Sequence, residues 1–144
     1  MALHGFEDIL AEHPVFKGFD SETLALLAGC AMNERFKPGD TIYSEGDPAD
    51  KVYILREGDI AVHICSPEKE PIIIETLNAG DVLGWGWMVP PYCCMSDARA
   101  VSPVRAVSLD AECMRSKCDA NPALGYAMFQ NWMPHLAARL GGSR

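Results

Sequence analysis

The chain has 144 residues and a formal net charge of −8 at pH 7. This length suits one domain with its own core and is short for two ordinary domains. Because an acidic surface repels polyanions, we predict no DNA or RNA binding by this chain alone. Its apolar stretches fall short of the ~18 residues of a membrane span, and its first residues lack a signal-peptide pattern, so we expect a cytoplasmic protein.

Cysteine is frequent for a chain of this size. The six cysteines are Cys30, Cys65, Cys93, Cys94, Cys113 and Cys118. Disulfide frameworks belong mainly to small secreted chains with weak cores, so we predict reduced thiols, several of them buried. No CxxC pair occurs and the four histidines are widely separated, so the sequence predicts no metal site and no cofactor.

Residues 1–32 are predicted to form N-terminal helices. Asp20 stands where a helix cap is expected, directly before the segment SETLALLA. Residues 33–110 then show short β-branched and aromatic runs, separated by Gly39, Gly46, Gly58 and Gly80. Strands broken at this interval predict an antiparallel roll, in which those glycines turn one strand into the next.

Residues 111–144 return to a helical pattern. Asn121 and Pro122 are typical of a helix start, and Pro134 is predicted to kink or break the helix that follows. An apolar stripe at helical spacing is formed by Leu124, Met128, Trp132, Leu136 and Leu140. Packing against the protein's own core is the preferred interpretation of this stripe; a contact surface for a partner or a second copy is the alternative.

Residues 37–62 (KPGDTIYSEGDPADKVYILREGDIAV) resemble the first half of cyclic nucleotide-binding domains, as in the catabolite activator family and the protein kinase A regulatory subunits. The resemblance continues through residues 77–84 (LNAGDVLG) and resumes at residues 98–110 (ARAVSPVRAVSLD). It implies a mainly β fold with flanking helices: a double-stranded β-helix, or jelly-roll and cupin-like β-roll, in one domain covering residues 1–144.

The resemblance also implies where a ligand would bind. In the family, a glutamate holds the ribose and an arginine nine residues later pairs with the cyclic phosphate, at the start of a short helix. At those positions this chain has Trp85 and Cys94, at the same spacing of nine. A neutral thiol cannot replace a guanidinium, so ordinary cyclic AMP binding is disfavoured. Arg99 is no substitute, because it alternates with Ala98 and Ala100 and should point outward.

The segment 84–94 (GWGWMVPPYCC) looks like the cassette of a subgroup of bacterial cyclic nucleotide-binding-like proteins, although Cys93-Cys94 departs from the Arg-Trp pair of that subgroup. The predicted ligand-binding residues are Gly84, Trp85, Gly86, Trp87, Met88, Tyr92, Cys93, Cys94, Met95 and Ser96. Three interpretations stay open: the aromatic rings fill the pocket, the pocket is rebuilt for a flat or apolar ligand that is not strongly anionic, or a weak nucleotide site survives.

Other roles are less well supported by the sequence. Cys93 and Cys94 suggest a redox function as a further alternative. No nucleophile, base and oxyanion site come together, so we predict no enzyme activity. The family's DNA-binding domain would follow the roll, and we expect none here. The sequence therefore predicts a regulatory or sensory module in which pocket occupancy shifts the terminal helices, or else a ligand-free interaction scaffold.

Overall fold

The computed structural model describes residues 5–64 and 72–142, so His4 and Cys65 lie outside the described residues. The chain divides into two compact units: a roll, Met32–Ala111, and a helical unit made of the residues up to Ala31 together with those from Glu112 onward. The prediction of one domain stays a prediction.

The roll consists of two antiparallel sheets. Its strands are β1 (Ala31–Phe36), β2 (Thr41–Tyr43), β3 (Lys51–Glu57), β4 (Ile60–Ile64), β5 (Ile72–Leu77), β6 (Val82–Leu83), β7 (Asp97–Ala100) and β8 (Val104–Asp110). Within the described residues, one sheet has the order β1-β8-β3-β6 and the other β2-β7-β4-β5. The predicted β-roll with flanking helices is confirmed.

Alternating side chains build the core between the two sheets. On β7, Ala98 and Ala100 are fully buried while Arg99 between them is exposed, so the predicted outward direction of Arg99 is confirmed. On β3, Tyr53 and Leu55 enter the same apolar cluster. The turn glycines Gly39, Gly46 and Gly58 all have positive φ, near +90°, a conformation that a residue without Cβ adopts at little cost.

The helical unit is organised by caps and by one large tryptophan. Its helices are α1 (Phe6–Ala11), α2 (Ser21–Ala28), α3 (Ala111–Ala120) and α4 (Pro122–Gly142), with a 3₁₀ turn at Pro14–Phe16. Asp20 caps α2 by accepting a hydrogen bond from the Thr23 backbone N–H at 2.8 Å, which lowers the pKa of its carboxyl. The fully buried Trp132 packs edge-on against Phe16.

Helix α4 bears on two of the sequence predictions. It runs through Pro134 without a break, so of the two predicted effects the break was wrong, and the kink stays a prediction. A helix can tolerate an internal proline when the surrounding packing outweighs the lost backbone bond. Leu124, Met128 and Trp132 are buried, which confirms core packing and excludes these three from a contact surface; Leu136 is half-buried, and the Leu140 side chain lies outside the described part.

A disulfide joins the two chain segments of the helical unit. Cys30, just after α2, and Cys113, in the first turn of α3, are bonded, with Cα atoms 5.8 Å apart. The prediction of reduced thiols was therefore wrong for these two residues. Their separation of 83 positions left no local signal, since only the return of the chain after β8 places them side by side. Free thiols are found at Cys93, Cys94 and Cys118.

Candidate functional site

The predicted cassette begins at a backbone position that requires glycine. Gly84 has φ +100°, and a side-chain carbon there would lie 2.9 Å from the carbonyl oxygen of Lys51 on β3. It opens a 3₁₀ helix, Trp85–Met88, whose Trp87 N–H donates to the Gly84 carbonyl at 3.4 Å. The cassette therefore starts in close contact with β3.

The cassette folds back on itself at Gly86. A side-chain carbon on Gly86 would overlap the carbonyl oxygen of Cys93 and come within 3.2 Å of the Ala49 Cβ. Backbone bonds hold the same region, because the Ala49 N–H donates to the Tyr92 carbonyl at 2.8 Å and the Cys94 N–H donates to the Asp47 carbonyl at 2.7 Å. The loop before β3 and the end of the cassette thus form one tight unit.

The aromatic residues of the cassette are inside the protein. Trp85, Trp87 and Met88 each keep 8% or less of their surface exposed. Trp85, at the position of the family's ribose-binding glutamate, is therefore an apolar packing group. Of the other predicted site residues, Tyr92, Cys93 and Ser96 are half-buried, and Met95 is 58% exposed.

A cavity of about 250 Å³ lies beside the cassette, between β2 and β3. It is lined by Ile42, Tyr43, Asp47, Pro48, Asp50, Lys51, Tyr53 and Cys94. Cys94 is the one predicted site residue in this wall. Asp47, Pro48 and Asp50 were not among the predicted site residues, because only the fold brings their turn beside β2 and Cys94.

The surroundings of Cys94 are acidic. Lys51 forms an ion pair with Glu34, in which the ammonium nitrogen lies 2.7 Å from Oε2. The Ser108 hydroxyl donates a hydrogen bond to that same oxygen at 2.8 Å. Within the described ranges 5–64 and 72–142, the carboxylates of Asp47 and Asp50 have no ion pair with a lysine, arginine or histidine. Burial first, and then those two carboxylates, raise the pKa of the Cys94 thiol to about 11. The group that stands in for the phosphate-binding arginine is thus a neutral thiol in a negative field.

Cys94 is expected to react slowly with alkylating agents. With a pKa near 11, only about 0.1% of this thiol is thiolate at pH 8, and the thiolate is the nucleophile. In a time course with iodoacetamide followed by peptide mass spectrometry, Cys94 should be modified at least about tenfold more slowly than the half-buried Cys93. The rate at Cys94 should keep rising toward pH 11. Equal rates at the two sites at pH 8 would contradict this assignment.

The redox role of Cys93 and Cys94 stays a prediction, and the geometry weighs against it at Cys94. The Cys94 thiol is 7% exposed and donates to the Pro48 carbonyl at 3.8 Å, while the Cys93 thiol donates to the Pro91 carbonyl at 3.7 Å. Each thiol thus has its own backbone acceptor. In the described ranges 5–64 and 72–142, no cluster of His, Cys, Asp and Glu could hold a metal ion.

A second hollow, of about 560 Å³, lies at the other end of the roll's strands. Its wall includes Arg35, Lys37 and Arg105, and Arg105 is paired with Glu57 at 2.9 Å. None of the predicted site residues lines it. Of the helices the structure describes, none combines the length and the apolar character needed to span a membrane.

Comparison with known proteins places the roll in a family. The model of the cyclic nucleotide-binding domain matches residues 33–121. A CRP-like cAMP-activated global transcriptional regulator of Mycobacterium tuberculosis is 28% identical over 110 residues, which is 76% of this chain and 49% of the regulator. The chain thus spans about half the length of that relative.

Solved structures agree with this match. A protein of Geobacter metallireducens GS-15, assigned as cyclic nucleotide-binding, has a TM-score of 0.83 and 27% identity, covering 93% of this chain and 97% of its own. A cyclic nucleotide-binding domain from Methylobacillus flagellatus has a TM-score of 0.81 at 21% identity, covering 99% of this chain and 84% of its own, and supports the fold alone.

Proposed function

Because the chain belongs to the cyclic nucleotide-binding domain family, we propose that it is a regulatory or sensory module whose pocket takes a small ligand other than a cyclic nucleotide. One observation carries the proposal: the position that the resemblance gives to the phosphate-binding arginine holds Cys94, a neutral thiol whose pKa the carboxylates of Asp47 and Asp50 raise.

The energetic argument concerns the phosphate charge. Losing one partner of a buried, hydrogen-bonded charge pair costs about 2–5 kcal/mol, which is roughly a 30- to 5,000-fold loss of affinity. Here Cys94 replaces the arginine cation, and the carboxylates of Asp47 and Asp50 lie nearby, so the electrostatic field at Cys94 opposes a bound anion. The buried Trp85, at the sequence position that the resemblance gives to the ribose-binding glutamate, also offers no carboxylate for a ribose hydroxyl. A neutral or cationic ligand meets neither obstacle.

We propose that occupancy of the cavity is passed to the helices through the end of β8. Asp50, in the cavity wall, accepts a hydrogen bond at its carbonyl from the Ala111 backbone N–H at 2.8 Å. Ala111 is the first residue of α3. A ligand that moves the turn at Asp50 therefore acts on the start of that helix, and only a difference in affinity between two arrangements can shift their populations.

Cyclic AMP and cyclic GMP are expected to leave the melting temperature of the protein unchanged at millimolar concentration. Any ligand that binds only the folded state raises that temperature, so a flat response means no binding in this range. The measurement is a thermal-shift titration confirmed by calorimetry, with a known cyclic AMP receptor as the positive control. A micromolar dissociation constant for either nucleotide would overturn the proposal.

A ligand-free interaction scaffold is the second candidate. The burial of Trp85 and Trp87 supports it, because these rings already occupy much of the cassette. Tyr126, Phe129 and Met133 add an exposed apolar face on α4, which favours self-association because residues 122–138 carry no charged side chain in a chain of net charge −8. A metabolite panel without any thermal shift, together with a dimer in light scattering, would favour the scaffold.

Several sequence predictions remain open. The relatives named above are regulators and binding domains; that this chain is not an enzyme and does not bind nucleic acid stays a prediction. The cytoplasmic location also stays a prediction. The Cys30–Cys113 disulfide weighs against this location, because disulfides are rare in the cytoplasm.

A further inference from the structure

The wall of the cavity beside Cys94 contains a largely buried tyrosine. Tyr53 is 8% exposed and lines the cavity. Burial, with Glu34, Cys94 and Asp50 nearby, raises the pKa of Tyr53 to about 12, so this group is a neutral phenol. Its hydroxyl can donate or accept a hydrogen bond, and it adds no charge to the wall.

Two carboxylates and one cation lie in the wall of this cavity. Asp47 and Asp50 line the cavity, and the one cation in the wall, Lys51, is paired with Glu34. Asp47 uses Oδ2 to accept from the Ser44 N–H at 3.0 Å, which leaves Oδ1 for another donor. The cavity therefore presents two carboxylates that no cation of the wall neutralises.

Aromatic rings also belong to the wall. The rings of Tyr43 and Tyr53 lie 6.4 Å apart between centroids, at an angle of 34°. The face of an aromatic ring attracts a cation within about 6 Å of its centroid, and this attraction is stronger where water is excluded. Ile42 and Pro48 complete the wall with apolar surface.

We propose that this cavity binds a small organic cation, with the charged nitrogen held between the Tyr43 and Tyr53 rings and the carboxylates of Asp47 and Asp50. The inference rests on the proposed function and names the class of its ligand. A volume of about 250 Å³ lies below the roughly 300–1,000 Å³ of pockets for drug-sized ligands, so the ligand is small.

The test compares two probes of the same shape and different charge. Choline carries a quaternary ammonium group, and 3,3-dimethylbutan-1-ol is its uncharged carbon analogue. In an NMR titration of the full chain labelled with ¹⁵N, choline should move the amide signals near Asp50 and Tyr53. It should also bind at least about tenfold more tightly than the neutral analogue, since only choline gains the carboxylate and ring interactions.

Two matched variants locate the effect. Asp47→Asn should weaken choline binding about three- to tenfold, because one carboxylate beside the cation is lost. Asp40→Asn is the control, since Asp40 accepts from the Lys37 N–H in the same type of turn at 2.8 Å but lies outside this cavity. It should leave choline binding unchanged. Both variants keep an amide oxygen that can accept the turn's hydrogen bond, so both should fold.

Each outcome decides the inference. Equal binding of the two probes, or no binding of choline up to about 50 mM, which is far above a millimolar dissociation constant, would overturn it. An equal loss of choline affinity in the Asp47→Asn and Asp40→Asn variants would also overturn the inference. If a neutral compound bound and choline did not, the proposed function would still hold, but the ligand would not be an organic cation. Binding of cyclic AMP would overturn the proposed function itself.

Discussion

Replacing Gly86 with alanine is expected to lower the free energy of unfolding by about 3 kcal/mol, the upper end of the usual 1–3 kcal/mol for overpacking. The added methyl group would overlap the carbonyl oxygen of Cys93, and the Ala49 Cβ is also close. Because the first of these is backbone, it cannot turn aside as a flexible side chain would. The measurement is urea unfolding followed by tryptophan fluorescence.

Gly125→Ala is the control for this prediction. Gly125 lies inside α4, and a side-chain carbon there would meet Cys118 at an ordinary 3.4 Å. The change should be neutral or stabilise the protein by up to about 1 kcal/mol, because alanine favours the helix over glycine. If Gly86→Ala proved as stable as the original chain, the close packing of the cassette described above would be wrong.

Removing the Cys30–Cys113 disulfide is expected to cost about 2–4 kcal/mol of stability. The bond joins residues 83 positions apart, and constraining a loop of that length in the unfolded chain is worth roughly 4.5 kcal/mol in the chain-entropy model. The double variant Cys30→Ala and Cys113→Ala should therefore unfold at a lower urea concentration. The original chain treated with dithiothreitol should lose a similar amount.

Two controls distinguish the bond from the residues. Cys118→Ala changes a free, half-buried cysteine of the same helix α3 and should cost less than the double variant. The double variant itself should be insensitive to dithiothreitol. If reduction left the stability of the original chain unchanged, the disulfide would not contribute to the fold.

The Gly86 variant and the cysteine variant change different parts of the protein. Gly86 reports on the contact between the cassette and the loop before β3, which forms the cavity wall. The disulfide belongs to the helical unit and closes the chain segment that contains the whole roll. A change in ligand binding in the Gly86 variant with none in the cysteine variant would place the determinants of binding inside the roll.

Local chemistry explains why much of the fold could be predicted. Glycines at positive φ, strand-like runs between them and caps such as Asp20 each depend on a few neighbouring residues, so the sequence carries them directly. The predicted loss of the phosphate-binding arginine is equally local, since Cys94 follows Trp85 at the spacing of nine that the resemblance implies.

The wall of the cavity could not be predicted in the same way. Tyr43, Tyr53 and Cys94 come from separate segments, and only the packing of the two sheets brings them together with the Asp47–Asp50 turn. The raised pKa of Cys94 has the same origin, because burial and charge at one point depend on the whole surrounding structure. The helix through Pro134 likewise depends on packing that a local rule does not include.

By itself, the sequence determined the roll, and it predicted the position of the cassette and the loss of the family's two nucleotide anchors, because each follows from residue type and spacing along the chain. Only the tertiary structure decided that Trp85 is buried, that Cys30 and Cys113 are bonded, and that two carboxylates and two tyrosines surround a cavity beside Cys94. These depend on contacts between residues far apart in the chain, which arise when the strands pair and the sheets close over a common core.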